Sequence, residues 1–335
     1  MNFRLKENYN IKMVYKVIDL FAGTGAFSYC FENCSENKFK CVFTNDICKN
    51  SKKIYDINHS NVKLTLEDLN KIDVKDIPTH DILCAGFSCQ PFSIAGKKEG
   101  FKDARTQAFF KTIEIIKFHN TPIVIFENVK NLLSHDKGRS MGKIKKLLED
   151  LNYNYKFKLL NTCKITNIPQ NRERVFIVCF KDKNLFDKFE LDFEPVKTDN
   201  IVDFLEEKVD DKYYYTDRYK MYDIAKSEIT KTIDKNVVYQ FRRHYIRENK
   251  SGVCPTLTAN MGGGGHNVPL ILTKNKKIRK LTPRECFNLQ GFPKNFILPE
   301  NMSNSALYKL SGNAVSVPVV KLIVDKIAIL LDKID

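Results

Sequence analysis

A cysteine, a glutamate and two arginines stand where this chain could do covalent chemistry. Cys89 lies in Ala85-Gly86-Phe87-Ser88-Cys89-Gln90-Pro91-Phe92-Ser93, directly after an apolar run. A thiol inside a core has its pKa raised and is inert, whereas one just beyond a strand and near positive charge can ionise to a nucleophilic thiolate. The segment behind it, Gly96–Arg105, is too polar and too glycine-rich for a core. It reads as a mobile loop with a basic face, able to close over a bound substrate. Glu127 ends a strongly apolar run. Desolvation there should raise its pKa and leave it able to donate a proton to a ring nitrogen. Arg172 and Arg174 alternate in Gln170-Asn171-Arg172-Glu173-Arg174, just before another apolar run, and so point to one side. Two guanidiniums on one side suit a carboxylate, a phosphate or a base edge. Each group also has a plainer explanation: one buried thiol among ten cysteines, a solvated strand-end acid, a salt-bridged strand edge. Their joint placement favours chemistry.

That placement requires a scaffold. Tyr15–Leu20, Lys40–Asp46, Asp81–Gly86 and Pro122–Asn128 are apolar or β-branched runs separated by helical stretches, and Arg174–Phe180 is a later run expected to be antiparallel. Continuous apolar strands of this kind need cover on both faces, which predicts an α/β fold with a doubly wound mixed sheet. In such sheets ligands bind beyond the carboxyl ends of the strands. Gly23 and Gly25 follow the first strand, Asp46 ends the second, Cys89 follows the third and Glu127 ends the fourth. Glycines after a strand let backbone approach a ligand, and an acid ending the next strand commonly accepts hydrogen bonds from ribose hydroxyls. Phe21-Ala22-Gly23-Thr24-Gly25 is not a full G-x-G-x-x-G, and no G-K-[ST] follows it. A nucleoside-bearing cofactor other than a nicotinamide dinucleotide is therefore expected.

The 335 residues suffice for two domains, or one large domain with an insertion. With 43% hydrophobic and 28% charged residues the chain has ordinary globular composition. No apolar stretch reaches eighteen residues, and Met1–Lys16 is too polar for a signal peptide, so a cytoplasmic protein with no membrane contact is expected. The ten cysteines form no C-x-x-C pair and no Cys/His cluster at zinc spacing, which predicts reduced thiols and no metal. A formal net charge of +15 favours a polyanionic partner, because Lys and Arg that displace phosphate counterions bind nucleic acid without regard to sequence. From Glu190 to Ile278 the strand and helix alternation stops, and Arg242, Arg243 and Arg247 interleave with aromatics ahead of the Gly262–Gly265 run. That mixture suits phosphate contact and guanine edges.

In order and spacing these segments resemble the DNA (cytosine-5) methyltransferase family, closely its compact bacterial restriction-modification members. The resemblance covers nearly the whole chain. It rests on Asp19–Phe27, Asn45-Asp46, Ser88–Ser93, Glu127-Asn128-Val129, Gln170–Arg174, Arg279–Cys286 and Gly312-Asn313-Ala314-Val315. It implies an S-adenosylmethionine-dependent, Rossmann-like catalytic domain over 1–189 and a smaller irregular target recognition domain over 190–278. A hinge and DNA-side segment (279–304) and a C-terminal segment (305–335) returning to the catalytic domain complete the implied organisation. Cys89 would attack C6 of a cytosine rotated out of duplex DNA, since a stacked base exposes neither face of that carbon. Glu127 would donate at N3, and Arg172 and Arg174 would hold the base and support both groups. Phe21, Gly23 and Gly25 would line the cofactor pocket, with Asp46 on the ribose, Ile47 against the adenine and Asp68 near its amino group. Asn313 and Ala314 would close the methionine end. Gln90, Arg105, Arg242, Arg243, Arg247, Gly263 and Gly264 would face DNA. The implied partner is double-stranded DNA bound by a monomer, with a cognate restriction endonuclease that forms no stable complex.

Two positions depart from the family pattern. Ser88 stands where proline usually precedes the nucleophile, which loosens the turn or adds a hydroxyl near the thiol. Ile47 replaces a larger side chain, and an aliphatic contact to adenine remains adequate. A tRNA cytosine-5 methyltransferase shares the catalytic motifs, but its Cys-Phe-Thr element is absent. A DNA-binding protein with a decayed active site is disfavoured because Cys89, Glu127, Arg172, Arg174 and Asn313 are all retained.

Overall fold

The computed structural model describes residues 13–34, 37–87, 104–218, 222–229, 237–242, 245–249, 251–261 and 268–333, with backbone only at 104–106. Seven strands form the main sheet: β1 (Tyr15–Leu20), β2 (Phe39–Asp46), β3 (Thr65–Leu66), β4 (Ile82–Gly86), β5 (Ile123–Val129), β6 (Asn154–Asn161) and β7 (Glu173–Phe180). Their spatial order is β3-β2-β1-β4-β5-β7-β6. The first five run parallel, whereas β7 is antiparallel to β5 and to β6, as the late position of that run in the chain predicts.

Side chains of successive strand residues enter opposite cores. Val17, Cys84, Ile125 and Val178 meet α1 (Ala26–Glu32) and the C-terminal helix. Ile18, Leu83, Val124 and Ile177 meet helices on the other face. These helices are α3 (Ala104–His119) and α4 (Arg139–Asp150), while α2 (Lys49–Asn58) follows β2. Both faces are dry, which is why these strands read as unbroken apolar runs. The short helices α5 (Thr162–Ile165) and α6 (Lys183–Lys188) flank β6 and β7.

The region from 190 to 278 is more regular than its sequence suggests. It contains α7 (Tyr222–Ile229) and most of a four-stranded antiparallel sheet, ordered β11-β10-β8-β9. The strands are β8 (Val238–Arg242), β9 (Tyr245–Asn249), β10 (Leu270–Leu272) and β11 (Ile278–Lys280). Runs of three to five residues carry too little period-two signal to stand out from the surrounding loops. Tyr239, Phe241 and Ile246 bury one face with α7, and Val238 and Ile271 bury the other against Leu257, Met261 and Leu289.

The Arg279–Cys286 motif leads from β11 into α8 (Pro283–Leu289). Thr282 caps that helix in a capping box with Glu285, whose carboxylate is also held bidentately by buried Arg279 at 2.8 and 2.6 Å. After α9 (Asn304–Asn313), the long helix α10 (Val317–Asp332) lies against α1 in the same core as β1 and β2. Cys30 Sγ donates to Val317 O, and buried Lys38 donates to Ala328 O and pairs with Asp332.

Candidate active site and cofactor cleft

At the carboxyl ends of β1, β2 and β4 a cleft of about 480 Å³ opens. Phe21, Ile47, Leu66, Leu69 and Phe87 give it apolar walls, and Asp46, Glu67 and Asp68 give it a row of acids. The turn after β1 sets this geometry. Phe21 takes φ +58, Ala22 N–H donates to Asn45 O at 3.0 Å, and Gly23 N–H donates to Asp46 Oδ2 at 2.9 Å. Asp46 Oδ1 accepts from Cys48 N–H at 2.8 Å. Burial raises the Asp46 pKa, against the lowering by these N–H donors. The Asn45 amide donates to Thr65 O and Glu67 O, which fixes the strip bearing Glu67 and Asp68. Asp68 accepts from both the backbone and the amide of Asn70. Asn45, Glu67 and Lys49 are cleft residues that sequence reasoning missed; only the adjacency of Asn45 to Asp46 hinted at the first.

Gly25 does not line this cleft. It turns at φ +83 beneath the glycine loop, where an added Cβ would stand 2.2 Å from His59 Nε2. His59 is itself buried, paired with Glu32 at 2.9 Å and stacked on Tyr55. Beside them Asp19 accepts from Ser28 N–H and Oγ–H, while its Oδ1 has no hydrogen-bond partner among the described residues. Burial pushes Asp19 up to about 7.

Across β4 the carboxyl group of Glu127 is buried opposite Gly86 in the ladder. Desolvation raises its pKa, opposed by the charges of Arg174 and Arg172. Arg174 Nε sits 3.1 Å from Glu127 Oε1. The neighbouring Asn128 amide donates to Phe87 O at 2.8 Å and so ties down the end of β4. Cys89, Ser88 and Gln90 lie outside the described residues, as do Arg243, Gly263 and Gly264, and so does the side chain of Arg105. A carboxyl whose proton is held more tightly because of burial, and which one arginine orients, can deliver that proton to a bound ring nitrogen.

Arg172 is engaged elsewhere. It is 1% exposed, and its guanidinium donates to three backbone carbonyls: Leu257 O at 2.9 Å, Gly312 O at 3.1 Å and Ala314 O at 2.6 Å. Burial brings its pKa down to about 9, which leaves it cationic at neutral pH. Ala314 is buried, and Asn313 is exposed at the end of α9. In the second sheet Arg242 and Arg247 are exposed and share one face of the β8–β9 hairpin with Tyr245, which is 59% exposed. No group of three or more metal-ligating side chains occurs, and no helix is long and apolar enough to cross a membrane, among the described residues.

The chain is similar to known proteins over nearly its whole length. The family described as C-5 cytosine-specific DNA methylase matches residues 15–328. The type II methyltransferase M.Bsp6I of Bacillus sp. (strain RFL6) is 44% identical over 316 residues, covering 93% of this chain and 98% of the relative. M.HhaI of Haemophilus parahaemolyticus, also a type II methyltransferase, is 34% identical over 321 residues, covering 92% of each. The crystal structure of a DNMT2 mutant from Spodoptera frugiperda superposes with a TM-score of 0.76 at 20% identity, covering 94% of this chain and 99% of that one, which shows the shared fold. The chain belongs to the C-5 cytosine-specific DNA methylase family.

Proposed function

We propose that this chain is the modification methyltransferase of a restriction-modification system, acting on cytosine in double-stranded DNA with S-adenosylmethionine as methyl donor. The observation that carries the reading is the buried carboxyl of Glu127, held by Arg174 opposite Gly86, with the chain running on from β4 to Cys89. The cleft fits a nucleoside cofactor: Ile47 presents apolar surface that is 71% exposed and that a flat base would cover, beside the acid row. Phe21, Ile47, Asp46 and Asp68 would hold it, and Gly23, Gly25, Asn313 and Ala314 would shape the surrounding turns.

Cys89 adds as thiolate to C6 of the extruded cytosine. Glu127 delivers a proton to N3, so the electron pair displaced by the thiolate leaves C5 electron-rich rather than N3 anionic. The bound cofactor supplies the methyl group that C5 accepts. Solvent water takes the C5 proton, the bonding pair re-forms the C5–C6 double bond as the Cys89 thiolate leaves, and N3 returns its proton to Glu127. Arg174 keeps Glu127 aimed during both proton movements. The catalytic and cofactor-binding domain spans 1–189 and 305–335, and 190–278 recognises the target. Arg242 and Arg247 would meet DNA, together with Gln90, Arg105, Arg243, Gly263 and Gly264. The chain would act as a cytoplasmic monomer, without metal and without a stable endonuclease complex.

The test is covalent trapping. The protein is incubated with cofactor and duplex fragments carrying 5-fluorocytosine at their cytosines, and the mass of the protein is measured. An adduct that disappears in Cys89→Ala is expected, together with methyl transfer to duplex DNA and none to tRNA. Absence of any adduct with active cofactor uptake would overturn the proposed chemistry, and transfer to tRNA alone would overturn the substrate.

A further inference from the structure

Arg172 is buried at the meeting point of three separate chain segments, and it donates to backbone in two of them from the third. Its Nη1 holds Leu257 O, in the strip that leaves the recognition sheet after β9. Its Nη2 holds Gly312 O and Ala314 O, at the turn between α9 and α10. Gln170 reinforces the first contact by accepting from Leu257 N–H at 3.2 Å and donating to Leu289 O at 2.7 Å. Gln290 reinforces the second by donating to Ser311 O at 2.6 Å. Contact between the two held segments is so close that a Cβ on Gly312 would stand 2.2 Å from the Thr258 carbonyl carbon. The turn continues to Val315, whose Cγ2 lies 3.9 Å from the place a Cβ on Gly86 would take, and Gly86 lines the cofactor cleft.

From this arrangement we infer that Arg172 is a positioning residue that couples DNA on the recognition face to cofactor in the cleft. A displacement of the Leu257 strip by bound DNA moves the Gly312–Val315 turn through one shared guanidinium. The same displacement reaches Glu127 through Arg174, two residues along the chain. A coupling free energy between two sites is reciprocal, so each ligand must tighten the other by the same factor. The inference rests on the proposed methyltransferase reading, because it takes DNA and S-adenosylmethionine as the two ligands.

The experiment uses the full chain, S-adenosylhomocysteine as cofactor probe, and a duplex bearing the site found by mapping 5-methylcytosine in DNA from cells that express the chain. Calorimetric affinity for the probe is measured with and without saturating duplex. Wild type should show tightening of about 5-fold or more, within the usual range for coupled sites. Arg172→Lys, which keeps the charge but reaches fewer carbonyls, should lose most of that factor and raise the KM for DNA more than it lowers kcat. Gln290→Met touches neither ligand. It should keep the affinity for the probe alone and lose part of the coupling, with folding checked by its melting temperature. Arg172→Lys with intact coupling and a selective fall in kcat would overturn the inference in favour of direct contact with the base. A well-folded Gln290→Met with undiminished coupling would also overturn it. A wild type that methylates no DNA overturns the methyltransferase reading itself, and this inference with it.

Discussion

The cofactor cleft and the Arg172 seam are both built from polar side chains near strand ends, yet they are finished in opposite ways. In the cleft the polar groups tie neighbouring strand-end turns to one another and leave the surface above them open. Asp46 holds Gly23 and Cys48, Asn45 holds the Thr65–Glu67 strip, and Ile47 is left facing solvent. At the seam each long polar side chain ends on backbone from a distant segment, and little surface remains open. Open polar geometry beside exposed apolar surface receives a ligand. Closed polar geometry between segments transmits position, because a buried donor left without its carbonyl costs about 1–3 kcal/mol and so resists displacement. Glu127 stands between the two, buried like the seam and adjacent to the cleft.

Four substitutions probe that contrast. The largest effect is expected at Glu127. Glu127→Gln removes the transferable proton while keeping the shape, and kcat should fall by about 10²–10⁴, the usual contribution of a general acid, with DNA affinity nearly unchanged. A kcat within tenfold of wild type would show that the proton reaches N3 by another route. Gly25→Ala comes next, because it puts a Cβ into the buried His59 ring at a φ of +83. Soluble yield and melting temperature should drop sharply, even though the residue lies outside the cleft.

Asp46→Ala should weaken cofactor binding by roughly 10- to 100-fold, the worth of a hydrogen bond to a charged group, and calorimetry measures it. An unchanged affinity would mean that Asp46 serves only to pin the glycine turn. The smallest effect concerns Asp19. Its folded pKa of about 7 lies above the ordinary aspartate value of 3.8. Between those values the folded chain holds a proton that the unfolded chain has lost, so stability falls as pH rises from about 4 to about 7 and stays low above that. Melting curves at pH 5 and pH 8 should show that fall in wild type and a flatter profile in Asp19→Asn.

How far the sequence revealed this molecule follows from the same physics. The strands β1, β2, β4, β5 and β7 were legible because both their faces are buried, and the chemistry at their ends was legible because strand ends are where ligands bind. β3 is two residues long, and β6 mixes Lys156 and Lys158 with its apolar positions at the sheet edge, so neither gave a clear run. Arg174 lies 3.1 Å from Glu127, its neighbour across the β5–β7 pair. The engagement of Arg172 could not be read, since its partners lie 85, 140 and 142 positions away along the chain. Backbone carbonyls carry no residue-type signal, and an arginine bound to them looks in sequence like one poised for substrate.

The docking of α10 against α1 bears on how the protein is made. Residues 317–332 complete the core around β1 and β2, and Lys38, just before β2, closes on Ala328 and Asp332. A ribosome delivers β1 and α1 some three hundred residues before it delivers their cover. The nascent catalytic half must therefore wait with an open apolar face until α10 itself has been translated. A transcript cut short of α10 would yield a chain with its glycine turn and catalytic strands present but uncovered, and thus prone to quality-control degradation before it could modify a genome.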